Sequence, residues 1–165
     1  MRTAVPEDAA AVADVHVRSW QVGYRTLLPD AYLDSLRPQD RLTRYTFGST
    51  DPGLPTTIVA TADGVIRGFV TVGPSRDDGP RNGEVHALYV DPNAWGLGIG
   101  RRLILEARTH LSLLGFKAAV LCVLLGNHRA ERFYCVDGWL PDGRRRTDGV
   151  WGIVVEETSY RRSVP

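Results

Sequence analysis

Lysine is all but missing from the 165-residue chain: Lys117 is the only one, and every other basic residue is an arginine. A glycine loop ending in Gly-Lys-Ser/Thr is therefore excluded, and with it the Walker type of phosphate site. Cysteine is scarce too. The two present, Cys122 and Cys135, fall inside an expected strand and an expected helix. Free thiols in a reducing compartment are expected from that, not a disulfide framework. His16, His110 and His128 show no ligand spacing with the cysteines, so no metal is expected. No apolar run approaches the roughly 20 residues that a membrane helix needs. The opening Met1 to Pro6 lacks the apolar core of a signal peptide, which makes the cytoplasm the expected location. An excess of charge is missing as well: 20 Lys and Arg stand against 19 Asp and Glu, for a net charge of +1. No bulk argument for nucleic-acid or membrane partners remains. Internal repeats and low-complexity segments are also lacking.

What is present is ordinary for a soluble globular protein, with 43% hydrophobic and 24% charged residues. The length suits one domain over 1–165 with its own core. Arg2–Val5 reads as a short strand. Pro6-Glu7-Asp8 opens a helix that runs through Ala9–Trp20, with Val12, Val15, His16 and Ser19 on one face. Shorter helices are expected over Asp30–Leu36 and Gln39–Phe47. Two strands, Thr56–Thr61 and Val65–Gly73, flank Ala62-Asp63-Gly64, a hairpin signal. After a polar loop over 74–83 come a strand at Glu84–Val90, a glycine loop and a helix from about Gly98 to Leu114. An apolar strand over Phe116–Leu125, a further helix from Asn127, a basic turn over Asp142–Gly149 and a last strand over 150–160 complete the order. A short strand at Trp139–Leu140 is a further option. Strands and helices interleave, so the fold class is α/β or α+β with a mixed sheet.

The chemistry gathers around Glu84–Leu103. Asp91-Pro92-Asn93 stops the strand, because proline cannot donate to a ladder. Gly96, Gly98 and Gly100 then lead into Arg101-Arg102-Leu103. The first amides of a helix have no internal partner and carry the positive end of its dipole, so this junction is an anion site. Arg101 and Arg102 add charge beside it. The dinucleotide fingerprint G-x-G-x-x-G does not fit a G-x-G-x-G spacing.

Strand 84–90, Gly98 and Gly100, and the following Arg-Arg-Leu-Ile resemble motif A of the GNAT family of N-acetyltransferases, Q/R-x-x-G-x-G/A. Trp95 stands where the family has Gln or Arg. Asn127 to Trp139 resembles the same family's motif B, N-x-x-A-x-x-F-Y-x-x-x-G-F, with Trp139 in place of Phe. Asn127 is also a good N-cap, and Ala130, Phe133 and Tyr134 share a helical face. The resemblance covers most of the chain, with the N-terminal quarter matched loosely.

The resemblance implies a mostly antiparallel sheet in which strands 84–90 and 117–125 run parallel and splay apart, with helices flanking it. It implies acetyl-CoA as cosubstrate, the pyrophosphate on the amides of Leu97, Gly98, Ile99, Gly100, Arg101 and Arg102, with Gly96 also among the cofactor-binding residues. The pantetheine arm would pair with Leu88, Tyr89 and Val90 and meet Asn127. The activity implied is N-acetyl transfer by direct attack of an amine through a tetrahedral intermediate. Glu84 is the expected base, with His86 on the same face as substitute, and Tyr134 the expected proton donor to the leaving thiolate. Trp20, Tyr24, Tyr32 and His86 are the candidate acceptor walls, and Asp30, Asp34 and Glu84 would favour a cationic amine. The acceptor, a small molecule or a protein amine, is left open, as is a homodimer through the last strand. The competing reading is a catalytically inactive acetyl-CoA-binding sensor or regulatory module; a nucleotide-binding protein is a weaker third.

Overall fold

The computed structural model describes residues 1–165 except Asp78, Pro80, Trp151 and Pro165, with Val150 described by its backbone only. Its elements are β1 (Arg2–Thr3), α1 (Ala9–Gly23), α2 (Asp30–Ser35), β2 (Thr56–Ala62), β3 (Val65–Pro74), β4 (Gly83–Val90), α3 (Ile99–Leu113), β5 (Ala118–Leu124), α4 (His128–Val136), β6 (Leu140–Val150) and β7 (Ile153–Ser163). Short 3-10 segments lie at Pro6–Asp8, Pro38–Arg44 and Pro92–Ala94. The third expected helix is the second of these. The polar loop expected over 74–83 and the last strand expected over 150–160 include residues 78, 80 and 151, which lie outside the described residues.

One sheet of seven strands, ordered β1-β2-β3-β4-β5-β7-β6, forms the middle layer. Every neighbouring pair is antiparallel except β4–β5. The β2–β3 hairpin turns on Asp63 (φ 51°) and Gly64 (φ 75°), the two positive values its tight turn demands.

Helices cover both faces. Leu103, Ile104, Ala107 and Leu111 of α3 recur at helical spacing, and all four are fully buried. They pack on Val70 and Val72 of β3 and on Ala119 and Leu121 of β5. On the opposite face, Val12 and Val15 of α1 meet Val59, Ile66 and Phe69. Burying each large aliphatic side chain here contributes roughly 1.5–3 kcal/mol.

The basic stretch 142–149, expected as a turn, belongs instead to the edge strand β6, paired with β7 up to Val150↔Ile153. Its turn-forming residues do break the ladder, but as an irregularity between Pro141 and Arg145, where the Arg144 amide donates to Asp142 Oδ1 at 3.0 Å. Arg146 then lies across from Glu157 in register and bonds it at 2.8 Å. A charged edge strand of this kind resists further pairing.

Candidate active site

Strand β4 pairs with β3 along its length but with β5 only from Gly83–Val85 to Ala119–Leu121. Beyond that the parallel pair parts, and a cavity of about 480 Å³ opens between the strands. Its walls are His86–Val90 of β4, Cys122–Leu124 of β5, the glycine loop with the start of α3, and Ala130, Phe133 and Tyr134 of α4. Ser19 and Tyr24 from the end of α1, and Glu157 of β7, close it.

One end is a cradle of amides. Gly98 is the N-cap of α3 with φ 76°, and Gly96 has φ 80°; both conformations are strained for any other residue. The Arg102 amide donates to Gly98 O at 3.1 Å, which starts the helical ladder. The amides of Ile99, Gly100 and Arg101 come before it and have no intrahelical acceptor. At Gly100 a Cβ would stand 3.4 Å from the Phe133 ring, an ordinary van der Waals contact, so neither space within the protein nor a positive φ demands glycine there. Arg101 lines the cavity, whereas Arg102 does not, and Leu97 points out with 72% of its surface exposed. Adjacent helical residues diverge, which is why only one arginine reaches in.

The departure at Trp95 has a structural answer. Its Nε1 donates to Val90 O at 2.8 Å, and the Arg129 guanidinium sits 3.5 Å from its ring centroid. Both side chains line the cavity. A positive charge thus reaches the glycine loop from motif B, although Arg129 drew no role from the sequence. The signal was there in two parts, an aromatic where a polar side chain is usual and an arginine inside motif B, but only the fold brings them together.

Backbone direction determines what β4 offers the gap. The Asp91 amide donates to Arg67 O in β3 at 2.8 Å. Alternation then turns the polar groups of Tyr89 toward β3 and those of Leu88 and Val90 toward the cavity. Val90 O is taken by Trp95 and by Ser19 Oγ at 3.0 Å. The Leu88 N–H and C=O and the Val90 N–H remain along the open edge. Across the gap, Asn127 Oδ1 caps α4 by accepting from the Ala130 amide at 3.1 Å.

Where the strands part, the ladder slips from Thr71↔Ala87 to Val72↔Val85, so His86 is the extra residue of a bulge. Its Nδ1 lies 3.5 Å from Glu84 Oε1. Its Nε2 is buried and has no hydrogen-bond partner among the described residues. Glu84 is only 2% exposed and does not line the cavity. The Arg76 amide donates to it at 2.9 Å and the Arg76 guanidinium at 2.6 and 3.0 Å, while Arg146 stands 3.6 Å away. Burial pushes a carboxyl's pKa up, but bonds from His86 and Arg76 outweigh it and hold Glu84 far below the usual carboxylate range. A carboxylate held so firmly is a weak base.

Tyr134 is 8% exposed, with Phe133 and Trp139 against its ring at 5.0 and 6.2 Å. Burial, with Tyr89 and Asp137 nearby, pushes its pKa well up, so the phenol stays protonated. The acceptor walls expected at Trp20 and Tyr32 are placed elsewhere. Trp20, 4% exposed, packs edge-on to His16 and beside Tyr24, because its side of α1 faces the sheet. Tyr32 lines a separate cavity. Tyr24 and His86 do line the main one. Asp30 and Asp34 are both paired with Arg25, at 3.4 and 2.5 Å. No cluster of three or more metal-ligating side chains occurs among the described residues, and no helix among them is long and apolar enough to cross a membrane.

Comparison with known proteins points one way. The family model for the "Acetyltransferase (GNAT) family" matches residues 11–136. An uncharacterized N-acetyltransferase, YuaI of Bacillus subtilis (strain 168), is 30% identical over 129 residues, 77% of this chain and 72% of that protein. Mycothiol acetyltransferase of Geodermatophilus obscurus is 38% identical over 84 residues, which is 50% of this chain but 26% of that protein. Among solved structures, PaiA N-acetyltransferase from Thermoplasma acidophilum in complex with coenzyme A superposes with a TM-score of 0.70 at 20% identity, covering 98% of this chain and 96% of that one. YncA, a putative acetyltransferase from Salmonella typhimurium with its cofactor acetyl-CoA, gives 0.72 at 20% identity, with 99% and 92% covered.

Proposed function

Because the chain belongs to the GNAT acetyltransferase family, we propose that it moves the acetyl group of acetyl-CoA to an amine by direct attack. The observation that carries this reading is the shared cavity: helix-start amides at one end and the open edge of β4 at the other. The amides of Ile99, Gly100 and Arg101 would hold the pyrophosphate, with Arg101 and Arg129 supplying charge. The Leu88 N–H and C=O and the Val90 N–H would pair with the extended pantetheine arm as a missing strand would. The same Val90 N–H, or that of Leu88, is available to the oxygen that gains charge as the amine adds to the thioester carbon.

The amine must lose a proton to attack productively. His86 is better placed for this than Glu84. Glu84 faces its Nδ1, which would keep the imidazole proton there and leave the lone pair on Nε2, a buried atom of a side chain that lines the cavity. Glu84 then orients and His86 accepts. The departing group is an alkyl thiolate, whose conjugate thiol has a pKa above neutral, so a donor beside the sulfur assists its exit. Tyr134, protonated and in the cavity wall, fills that role.

The test is release of free thiol from acetyl-CoA against a panel of amines, alongside calorimetry with coenzyme A. Binding of coenzyme A, weakened by Gly98→Val, and turnover of at least one amine are expected. Equal binding by wild type and the Gly98 variant would remove the cradle from the reading.

A further inference from the structure

Glu157 of β7 is the one carboxylate among the described residues that line the main cavity. It stands across from Leu124 of β5 in an antiparallel pair, and the two side chains therefore share a face. Tyr24 of α1, Tyr89 of β4 and Cys122 of β5 line the same cavity. Burial is the first cause that raises the pKa of these three groups, and the Glu157 charge adds to it in each, as a nearby carboxylate would. The acids expected to favour a cationic amine do not reach this wall. Asp30 and Asp34 are held by Arg25, and Glu84 lies outside it.

Glu157 is anchored but not saturated. Arg146 Nε and Nη2 both donate to Oε2, at 3.1 and 2.8 Å, and no other described residue donates to Glu157. The same guanidinium is shared with Asp77 at 3.1 Å, Asp148 at 3.5 Å and Glu84 at 3.6 Å. Arg76 also pairs with Glu84 and Asp148, at 2.6 and 3.8 Å, whereas Glu157 has Arg146 alone among the described residues. One cation divided among four carboxylates leaves Glu157 able to attract a further positive charge.

We propose that Glu157 binds a second, cationic nitrogen of the acceptor, so that the amine acetylated is one end of a diamine or belongs to a molecule with a distal guanidinium. This rests on the acetyltransferase reading and names its substrate class. The nitrogen that attacks must be neutral, and a carboxylate beside it would hold it protonated. His86 and Glu157 are far enough apart to serve different nitrogens. Strand β5 separates β4 from β7, which amounts to two spacings of about 4.8 Å each in a closed sheet and more where β4 and β5 part. A short alkyl chain spans that interval. The Tyr24 and Tyr89 rings offer it an apolar wall and offer the far ammonium a cation–π partner.

The turnover arm of the test measures kcat/KM for α,ω-diaminopentane and for hexylamine, which has a methyl group where the diamine has its second nitrogen. Wild type is expected to prefer the diamine by roughly tenfold or more, the size of a charge-assisted hydrogen bond, and Glu157→Gln to bring the ratio close to one. A ratio cancels any general loss of activity in the variant, and the wild-type ratio is read without any variant. No preference in wild type, or the same preference in both proteins, overturns the proposal. The binding arm titrates α,ω-diaminopentane into the protein loaded with coenzyme A and needs no turnover. Roughly tenfold weaker binding to Glu157→Gln supports the site. Equal binding to both proteins, or none to wild type, overturns it. If no amine is turned over, the acetyltransferase reading falls, and the binding arm still reports on Glu157.

Discussion

His86 owes its place to one extra residue. The bulge that breaks the β3–β4 ladder sets this imidazole where β4 and β5 part, with Glu84 beside Nδ1 and a buried Nε2 that has no hydrogen-bond partner among the described residues. In the proposed mechanism the base needs a free lone pair and a reason to keep it on one nitrogen, and Glu84 beside Nδ1 would supply that reason. Replacing His86 by Gln is expected to lower kcat by roughly 10²–10⁴-fold, the range for loss of a general base, while coenzyme A affinity measured by calorimetry stays within about threefold. Tyr134 carries the complementary prediction. Tyr134→Phe keeps the ring that packs between Phe133 and Trp139 but removes the proton. Turnover should fall by roughly 10²-fold or more with coenzyme A binding intact. Unchanged turnover in either variant removes that residue from the mechanism. Arg129 shows why residue roles are hard to read in one dimension: its partner Trp95 is 34 positions away, and only the approach of α4 to the glycine loop pairs them.

At the scale of elements, the sequence exposes whatever depends on local pattern. The hairpin at Asp63-Gly64, the N-cap at Asn127 and the glycine entry to α3 each follow from one residue's conformational preference, and each stands where expected. The splayed β4–β5 pair followed from the family likeness, not from periodicity. What misleads is context. Asp142-Gly143 carries turn chemistry, yet β7 supplies a ladder that extends β6 past it, and cross-strand pairs such as Arg146–Glu157 convert a basic run into strand. Glu84 reads as a strand-end acid with a base's position, but Arg76 arrives from a loop whose path no pattern predicts. Helix α3 is the element on which both core and cradle depend. Leu103→Ala, at a fully buried site one turn into that helix, should cost about 2–5 kcal/mol in urea unfolding and loosen the proposed phosphate cradle with it. A loss below about 1 kcal/mol would mean that α3 is less firmly seated than its burial implies.

For the whole molecule, the response to acid follows from two groups on the same side of the sheet with different windows. His16 sits between Tyr89, stacked at 4.3 Å, and Phe69, with Nδ1 bonded to the Tyr45 hydroxyl. Burial first, and then the Arg41 charge, lower its pKa to about 3. In the unfolded chain it returns to about 6.5. Between those values the unfolded state binds a proton that the folded state refuses, so stability is complete above about pH 6.5 and drains away as pH falls toward 3. Glu84 acts in the same direction but lower. Its folded value lies far below an unfolded carboxyl's value of about 4.3, so its contribution starts to go only beneath that pH. Asp8, held down first by its hydrogen bond from Arg2, shares the lower window. The two windows separate in a series of melting temperatures from pH 3 to 8. His16→Asn is expected to flatten the slope between about pH 4.5 and 6.5 while leaving the steeper fall below it. Glu84→Gln should melt lower at neutral pH, because Arg76 and Arg146 lose their partner, and its deficit against wild type should narrow only below about pH 4.3. A His16→Asn series that runs parallel to wild type down to pH 4.5 would show that the imidazole takes up its proton without unfolding the protein, and that the aromatic cage around it opens to water far more readily than its packing suggests.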